Sequence, residues 1–514
     1  MGGQRLGYSF LLVVLISAWI LLFNLGGLPL TDPDEPVYAE TAKEMIQFND
    51  YLSPRIFGEF WYDKPPMYYW LAAGSFKLFG ISEFTARFPS ALAGILCVLA
   101  VYVSACRLFN ERAGMLSALV LATSLEFFYV AKGSVTDMTL TLFLTVALLA
   151  FLEKRYYLFY IGAALATVTK GPIGLVFPGT IIFLHWLLHR NFKEIWKMKL
   201  PAGILIYMVI AVPWYWLMYQ HHGADFIDTF FGFHNFVRFT QPEHNETSAW
   251  YFFVPVLIAG FMPWTAVMVQ ALWRVLTEGT RSWRSHSFLL VWAAFIFVFF
   301  SISQTKLVSY ILPVFPPLAM LVGWYLDMIW EQRYGSSRPF AWPVLLTVLG
   351  GLLSMALIMA AKEIPALMNG AIAASVVFLA MILGVWYAIF RRAVATAFWI
   401  QVFGMIVFSM LFMVMLLPPA VPMIQSRDIS EAFRAQYDGS SEVYVDKFLR
   451  PGFAFYSGTY GREIKKNEIE NVLDSEGKAY IVTRISEFKQ ASEEKRQKTI
   501  ILVETGDKVL LLKQ

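Results

Sequence analysis

Residues 8–28, YSFLLVVLISAWILLFNLGGL, and residues 31–70, TDPDEPVYAETAKEMIQFNDYLSPRIFGEFWYDKPPMYYW, decide how the rest of the chain is read. The first stretch carries no charge and is long enough to cross a hydrocarbon layer of about 30 Å. It exceeds the usual core of a secretory signal and lacks a small-x-small cleavage pattern, so it reads as a first membrane span. The second stretch is polar and brings Asp32, Asp34, Glu35, Asp63 and Lys64 directly after that span. Ionisable groups at a bilayer edge are costly unless they pair or face a wet cavity. We therefore read this segment as a catalytic loop.

The remainder of the 514 residues agrees with a membrane setting: 58% are hydrophobic, 15% are charged, and mean hydropathy is +0.56. Further apolar runs fall near 82–106, 113–130, 136–152, 156–169, 171–189, 200–219, 250–273, 286–302, 307–329, 341–361, 366–390 and 394–418. The expectation is a polytopic α-helical membrane protein of about 13 transmembrane helices. Residues 425–514 hold 15 of the 41 Lys+Arg and 15 of the 37 Asp+Glu. This divides the chain into a membrane body, residues 1–420 with an interfacial loop at 29–81 and an outer loop at 220–249, and a soluble α/β domain, residues 421–514. The net charge of +4 gives no argument for nucleic acid. Cys97 and Cys106 fall in one apolar run, so no disulfide framework is expected.

Basic loops stay on the cytoplasmic side of a membrane. With the N-terminus inside, Arg107/Arg112, Lys154/Arg155, Arg190/Lys193/Lys197/Lys199, Arg274/Arg281/Arg284, Arg333/Arg338 and Arg391/Arg392 all fall in cytoplasmic turns. The other face receives the opening loop, Lys132–Asp137, Lys170, the loop from Gln220 to Ala249, Ser303–Lys306, Lys362 and the tail. Within the opening loop, Glu35–Gln47 has the apolar spacing of an interfacial helix with one face in lipid. Pro65-Pro66 opens a second helix, to Phe79, with Tyr68, Tyr69 and Trp70 as interfacial anchors. In the tail, Asp428-Ile-Ser-Glu431 reads as a capping box for a helix through Gln436. Strands are expected at Glu442–Phe448 and Ala479–Ile485, and a hairpin at Thr499–Val503 and Lys508–Leu512.

This topology, drawn from loop charges, places Asp34, Glu35, Asp63, Lys64, Asp137, Lys170, His234, Arg238 and Lys306 at one level. Structural ion pairing, for example Asp137 with Lys170, is the plain alternative for any one pair. Taken together they suggest a shared polar cavity. Lys64, Lys170, Arg238 and Lys306 suit a phosphate, Arg as a bidentate fork and Lys as a point charge. A carboxylate beside them is placed to take a proton from an attacking hydroxyl. The combination fits transfer from a lipid-phosphate-linked group, with the cations stabilising the departing phosphate.

The motifs Asp34-Glu35-x-x-Tyr38-Ala39-Glu40, Tyr62-Asp63-Lys64-Pro65-Pro66-x-Tyr68-x-Trp70, Glu83-Phe84-x-x-Arg87-x-Pro89-Ser90-Ala91, Thr136-Asp137-Met138, Thr169-Lys170-Gly171-Pro172 and Lys306-Leu307-x-x-Tyr310-Ile311-Leu312-Pro313 follow one another in that order. In this the chain resembles the bacterial branch of the protein O-mannosyltransferase superfamily, and within it the aminoarabinose lipid A transferases. The resemblance runs from about residue 20 to 320 and implies a GT-C fold. It also implies an inverting glycosyltransferase that uses a polyprenyl-phosphate-linked sugar on the extracytoplasmic side of the bacterial inner membrane.

By motif position the resemblance implies Asp34 as the catalytic carboxylate, with Glu35 and Asp137 beside it. Lys64 matches the polyprenyl-phosphate lysine and Arg238 an arginine near the donor phosphate, while Lys170 and Lys306 are phosphate-binding candidates from their place on the same face. Tyr310, Tyr62, Asp63 and His234 are then expected in the substrate cavity. Two positions depart from the aminoarabinose enzymes: Val37 stands where they carry arginine, and Asp63 where they usually carry glutamate. These bear on the identity of donor or acceptor more than on the reaction class.

The expected partners are a polyprenyl-phosphate sugar donor, a lipid A-like glycolipid or protein acceptor and membrane lipids, and no nucleic acid. A protein O-mannosyltransferase-like enzyme is the alternative within the family, and a lipid or small-molecule transporter the alternative of another class. No internal repeat supports the transporter. His221, His222, His234 and His244 match no familiar zinc spacing, so no metal site is expected. No cofactor is required, and a divalent cation is unsupported. Asn245-Glu-Thr247 is a sequon that matters only in a secretory compartment.

Overall fold

The structure, a computed structural model, describes residues 5–237, 249–277, 283–331, 339–464, 468–474, 477–497 and 499–513. Arg238, His244 and Asn245 lie outside the described residues, as does the side chain of His234. A helix or a bent helix pair stands at each of the thirteen expected places. Among the described residues seven are long and apolar enough to cross a membrane singly, and up to nine if each of two bent pairs forms one span. The gap from thirteen comes from short helices such as Thr136–Leu152 and Tyr156–Lys170. At 1.5 Å per residue these reach only about 22–26 Å. The chain is an integral membrane protein of helical type with a small C-terminal sheet.

Contacts divide the chain into two compact units. The first comprises Met1–Phe23, Tyr62–Tyr68 and Pro89–Phe412. Its centre is the antiparallel pair Thr136–Leu152 and Tyr156–Lys170, turned around Glu153, Lys154 and Arg155. Glu153 ties the turn down by accepting from Ser104 at 2.6 Å and Arg107 at 2.7 Å. The two helices approach closely because residue 162 is glycine: a Cβ there would stand 2.9 Å from the Ala147 backbone nitrogen. Lipid offers no hydrophobic drive between helices, so small residues and polar contacts do the joining. The helix pair Glu111–Ala122 and Leu125–Ala131 bends by 65°, and Phe253–Gly260 with Thr265–Thr277 bends by 109°. The two breaks satisfy each other, Leu125 N donating to Met262 O at 3.1 Å and Trp264 Nε1 to Thr123 Oγ1 at 2.8 Å. Gln401 closes the set, accepting from Trp342 Nε1 and donating to Pro263 O.

The second unit comprises Asn24–Trp61, Tyr69–Phe88 and Met413–Gln514, so it joins most of the opening loop to the tail. The loop forms the helix Asp34–Gln47 and a tight hairpin of β1 (Arg55–Ile56) and β2 (Glu59–Phe60). Phe57 and Gly58, both at positive φ, make its turn, where the Glu44 carboxylate accepts from both backbone N–H groups at 2.6 and 3.0 Å. The tail holds β3 (Glu442–Asp446), β4 (Arg462–Ile464), β5 (Ala479–Arg484), β6 (Thr499–Thr505) and β7 (Lys508–Lys513) in the order β4-β3-β5-β7-β6. β3 runs parallel to β4 and β5, and β7 runs antiparallel to β5 and β6. Strand alternation fills both faces: Val445, Val482 and Leu510 pack with Phe433 and Phe453, while Ile481, Val509 and Leu511 pack with Ile469 and Phe488.

Two sequence expectations change here. Of the apolar residues of Asp34–Gln47, Ala39, Ala42 and Met45 are buried in protein, while Val37 and Ile46 are half-buried. The tail helix runs Arg427–Gln436, starting before Asp428; Ser426 precedes it but makes no side-chain cap, because its hydroxyl bonds to Asp32 instead.

Replacing Gly162 by Val is expected to force the central pair apart, costing about 1–3 kcal/mol. Thermal denaturation in detergent checks this, and an unchanged midpoint would show that the close crossing carries no stability.

Candidate active site

Chain direction brings two ionisable residues of the first unit together at neighbouring helix ends. Thr136–Leu152 and Tyr156–Lys170 are antiparallel neighbours, so the first turn of one lies beside the last turn of the other. Asp137 occupies that first turn and Lys170 that last turn, each favoured by its own helix dipole. Lys170 Nζ donates to Asp137 Oδ1 at 2.6 Å, and each side chain is 11% exposed. Gly171 follows at φ 77° and ψ −149°, a conformation suited to glycine, and Pro172 precedes the helix Ile173–His189. The Lys-Gly-Pro motif thus marks a helix end, a turn and a helix start.

Asp63 and Lys64 enter from the end of the opening loop, with Lys64 Nζ 2.9 Å from Asp63 Oδ1. Pro65 and Pro66 follow and lead into the helix Met67–Phe79, one residue later than expected. Asp63, Lys64, Lys170 and Tyr310 line one cavity of ≈ 290 Å³ with Phe177, Phe230, Phe299 and Phe300. The Lys170 ammonium stands 4.5 Å from the centroid of the Tyr310 ring, and Phe300 packs on Tyr310 at 5.2 Å. One part of the cavity therefore carries two lysines and Asp63, and the rest is mostly apolar, with Phe, Ile, Val and Pro side chains beside Ser303 and Thr305. An amphiphile with an anionic head fits that division.

The other expected residues fall elsewhere. Tyr62 does not line the cavity; its ring packs against His222 at 5.3 Å and Phe226 at 5.7 Å. Lys306 lines a separate cleft with Trp250, Ile302 and Gln304. Its ammonium donates to Ser303 O at 2.5 Å, and burial lowers its pKa. Among the described residues no carboxylate stands within ion-pair distance of it. Asp34 and Glu35 belong to the second unit, where Asp34 is exposed in the first turn of Asp34–Gln47.

Glu35 is buried against Arg87, a residue quoted in the sequence motif without a role. Arg87 Nε and Nη2 donate to the two Glu35 oxygens at 2.8 and 2.7 Å. The remaining donors reach the carbonyls of Leu25, Leu28 and Pro29. An arginine inside an apolar run is itself a signal of a nearby partner. The aromatic wall escaped notice because phenylalanines in a membrane protein are ordinarily packing residues.

The model of the dolichyl-phosphate-mannose-protein mannosyltransferase family matches residues 63–216, which include Asp63, Lys64, Asp137 and Lys170. An uncharacterized protein of Aquifex aeolicus is 33% identical over 66% of this chain and 68% of its own length. The undecaprenyl phosphate-alpha-4-amino-4-deoxy-L-arabinose arabinosyl transferase of Edwardsiella ictaluri is 30% identical over 70% of this chain. That alignment spans 66% of the relative, a little under two thirds of its length. The crystal structure of ArnT from Cupriavidus metallidurans bound to undecaprenyl phosphate shares the fold, with a TM-score of 0.79 at 22% identity over 98% of this chain and 97% of that one. The chain belongs to the bacterial branch of the protein O-mannosyltransferase superfamily, the membrane-embedded GT-C glycosyltransferases that include the aminoarabinose transferases.

Proposed function

We propose that this glycosyltransferase moves a sugar from a polyprenyl phosphate to a hydroxyl or phosphate of a lipid A-like glycolipid or other envelope acceptor, on the extracytoplasmic side of the inner membrane. The observation that carries the reading is the cavity in which Lys64 and Lys170 stand beside an aromatic wall. The ammonium groups suit the donor phosphate and the phenylalanines the first isoprene units. The names borne by relatives such as the Edwardsiella ictaluri transferase support this donor class. The alternation of basic loops supports an N-terminus in the cytoplasm, with the site and tail on the far side.

In this reading the acceptor oxygen attacks the anomeric carbon from the face opposite the phosphate, so the configuration inverts. The bond from the anomeric carbon to the phosphate oxygen breaks, and the departing polyprenyl phosphate gains negative charge. Lys64 and Lys170 stabilise that charge, joined by Arg238 on the family resemblance. Asp63 and Asp137 hold the two lysines in place before the donor arrives, at 2.9 and 2.6 Å. Asp34 takes the acceptor proton, with Glu35 and its Arg87 partner fixing the turn before it. His234 and Tyr310 belong to the donor end, whereas Lys306, in its own cleft, is left out of donor binding. Val37, half-buried on the helix of Asp34, marks the position where acceptor or donor choice differs from the aminoarabinose enzymes.

Asp34→Asn is expected to abolish sugar transfer from a polyprenyl-phosphate donor while donor binding persists, as followed by radiolabelled sugar transfer and donor titration. Normal turnover in that variant would remove the proposed base. Lys64→Ala should weaken polyprenyl-phosphate binding about tenfold or more, the scale of one charge-assisted contact. Unchanged affinity would count against its phosphate role. Asp137→Ala and Lys170→Met should each lower thermal stability, and the double variant should lose less than the sum by about 0.5–3 kcal/mol. Strict additivity would mean that the two do not act as a pair.

A further inference from the structure

The second unit contains a buried acid that the reaction does not use. Asp32 is 7% exposed, two residues before Asp34. Its backbone N–H donates to Ile424 O at 2.9 Å, and its carboxyl accepts from the Ser426 hydroxyl of the tail. The approach needs Gly452, where a Cβ would stand 2.1 Å from Asp32 Oδ1. On one side of this contact, Leu30 N donates to the Tyr456 hydroxyl at 2.7 Å. On the other, Lys43 donates to Phe455 O at 3.2 Å. Arg87 grips the same strand of chain through Leu25, Leu28, Pro29 and Glu35. The backbone that presents Asp34 is therefore pinned from the tail at residues 30, 32 and 43 and by Arg87 at 25–29 and 35.

We propose that the C-terminal α/β domain is the positioning element of the Asp34 loop, acting through the Asp32–Ser426 contact and its neighbour Leu30–Tyr456. Ser426 and Tyr456 are positioning residues, and their role rests on the reading of Asp34 as the base. A carboxylate displaced by 1 Å from its attack geometry loses about 100-fold in rate. A loop tied at both ends to folded structure prevents that displacement.

The charge state of Asp32 supplies a readout that a merely structural contact would not. Burial pushes its pKa from 3.8 to about 8; Glu35 and Asp507 add to the rise, while Ser426 and Lys508 oppose it. The Lys508 ammonium is itself committed to Pro422 O and Met423 O at 3.0 Å and to Asp507 at 2.9 Å. A raised acid favours the docked loop most fully below its ordinary value of 3.8, and that contribution is lost progressively as pH rises to about 8. The neutral carboxyl, which asparagine mimics, is the form that docks.

The experiment uses full-length protein in nanodiscs, with transfer from a polyprenyl-phosphate sugar between about pH 6 and 10 and hydrogen exchange over residues 28–40. Ser426→Ala is expected to lower kcat about 10- to 100-fold with little change in donor KM, and to speed exchange at residues 30–36. Ser426→Thr should restore both. Asp32→Asn should keep activity and remove the fall in kcat and in protection as pH rises to about 8. Wild-type kcat and exchange in Ser426→Ala would overturn the proposal, as would faster exchange spread across the tail sheet, which would mark a domain-stability effect. Full activity in Asp34→Asn would remove the base and leave the exchange result to judge the docking by itself.

Discussion

The guanidinium of Arg87 is the contact on which the arrangement of the opening loop depends. It sits in the apolar helix Glu83–Leu108, where an unpaired charge would cost several kcal/mol. Its donors are spent on Glu35 and on three carbonyls of one short segment. Glu35 in turn accepts from Thr31 N at 2.7 Å, so one side chain closes residues 25–35 into a ring. Planarity matters here, since a lysine would offer one point charge where five directed donors are used. Asp34 is the residue this ring leaves exposed.

The cavity of the first unit solves a related problem differently. On the proposed function two lysines receive the donor phosphate, yet two buried ammonium groups would repel in the donor's absence. Each is accompanied by its own carboxylate, Asp63 for Lys64 and Asp137 for Lys170. The pairs keep the site near neutral and preoriented, and an incoming phosphate competes with carboxylates already close to the lysines. The antiparallel helix pair that delivers Asp137 and Lys170 depends on Gly162, which permits its crossing, so packing deep in the body sets charge geometry at the mouth.

The tail extends the same logic. Its sheet carries a hydrophobic cluster on each face, and the chain before Asp34 is bonded to the tail at Leu30 and Asp32. This explains why Ser426, placed to cap a helix, does not do so: its hydroxyl is used for the loop, and Gln425 accepts from Arg427 N instead. It also explains why Ala39, Ala42 and Met45 are apolar, since they are buried in protein.

Much was legible from the chain alone. Apolar run lengths, alternating basic loops and the charge-rich last 90 residues determined a helical membrane body with a small α/β tail, because bilayer thickness and strand alternation act on local sequence. The loop charges placed Asp63, Lys64, Asp137 and Lys170 on one face with five other ionisable residues, and the fold brings Asp63, Lys64 and Lys170 to one cavity, with Asp137 bonded to Lys170. Only the tertiary structure decided that Lys306 stands in another cleft, that Tyr62 packs with His222, and that Glu35 belongs to Arg87. It alone joined the opening loop to a domain nearly 400 residues later, through Asp32 and Ser426. The physical reason is range: hydropathy and charge alternation are read within a span or a loop, whereas a buried polar group finds its partner through the folded chain.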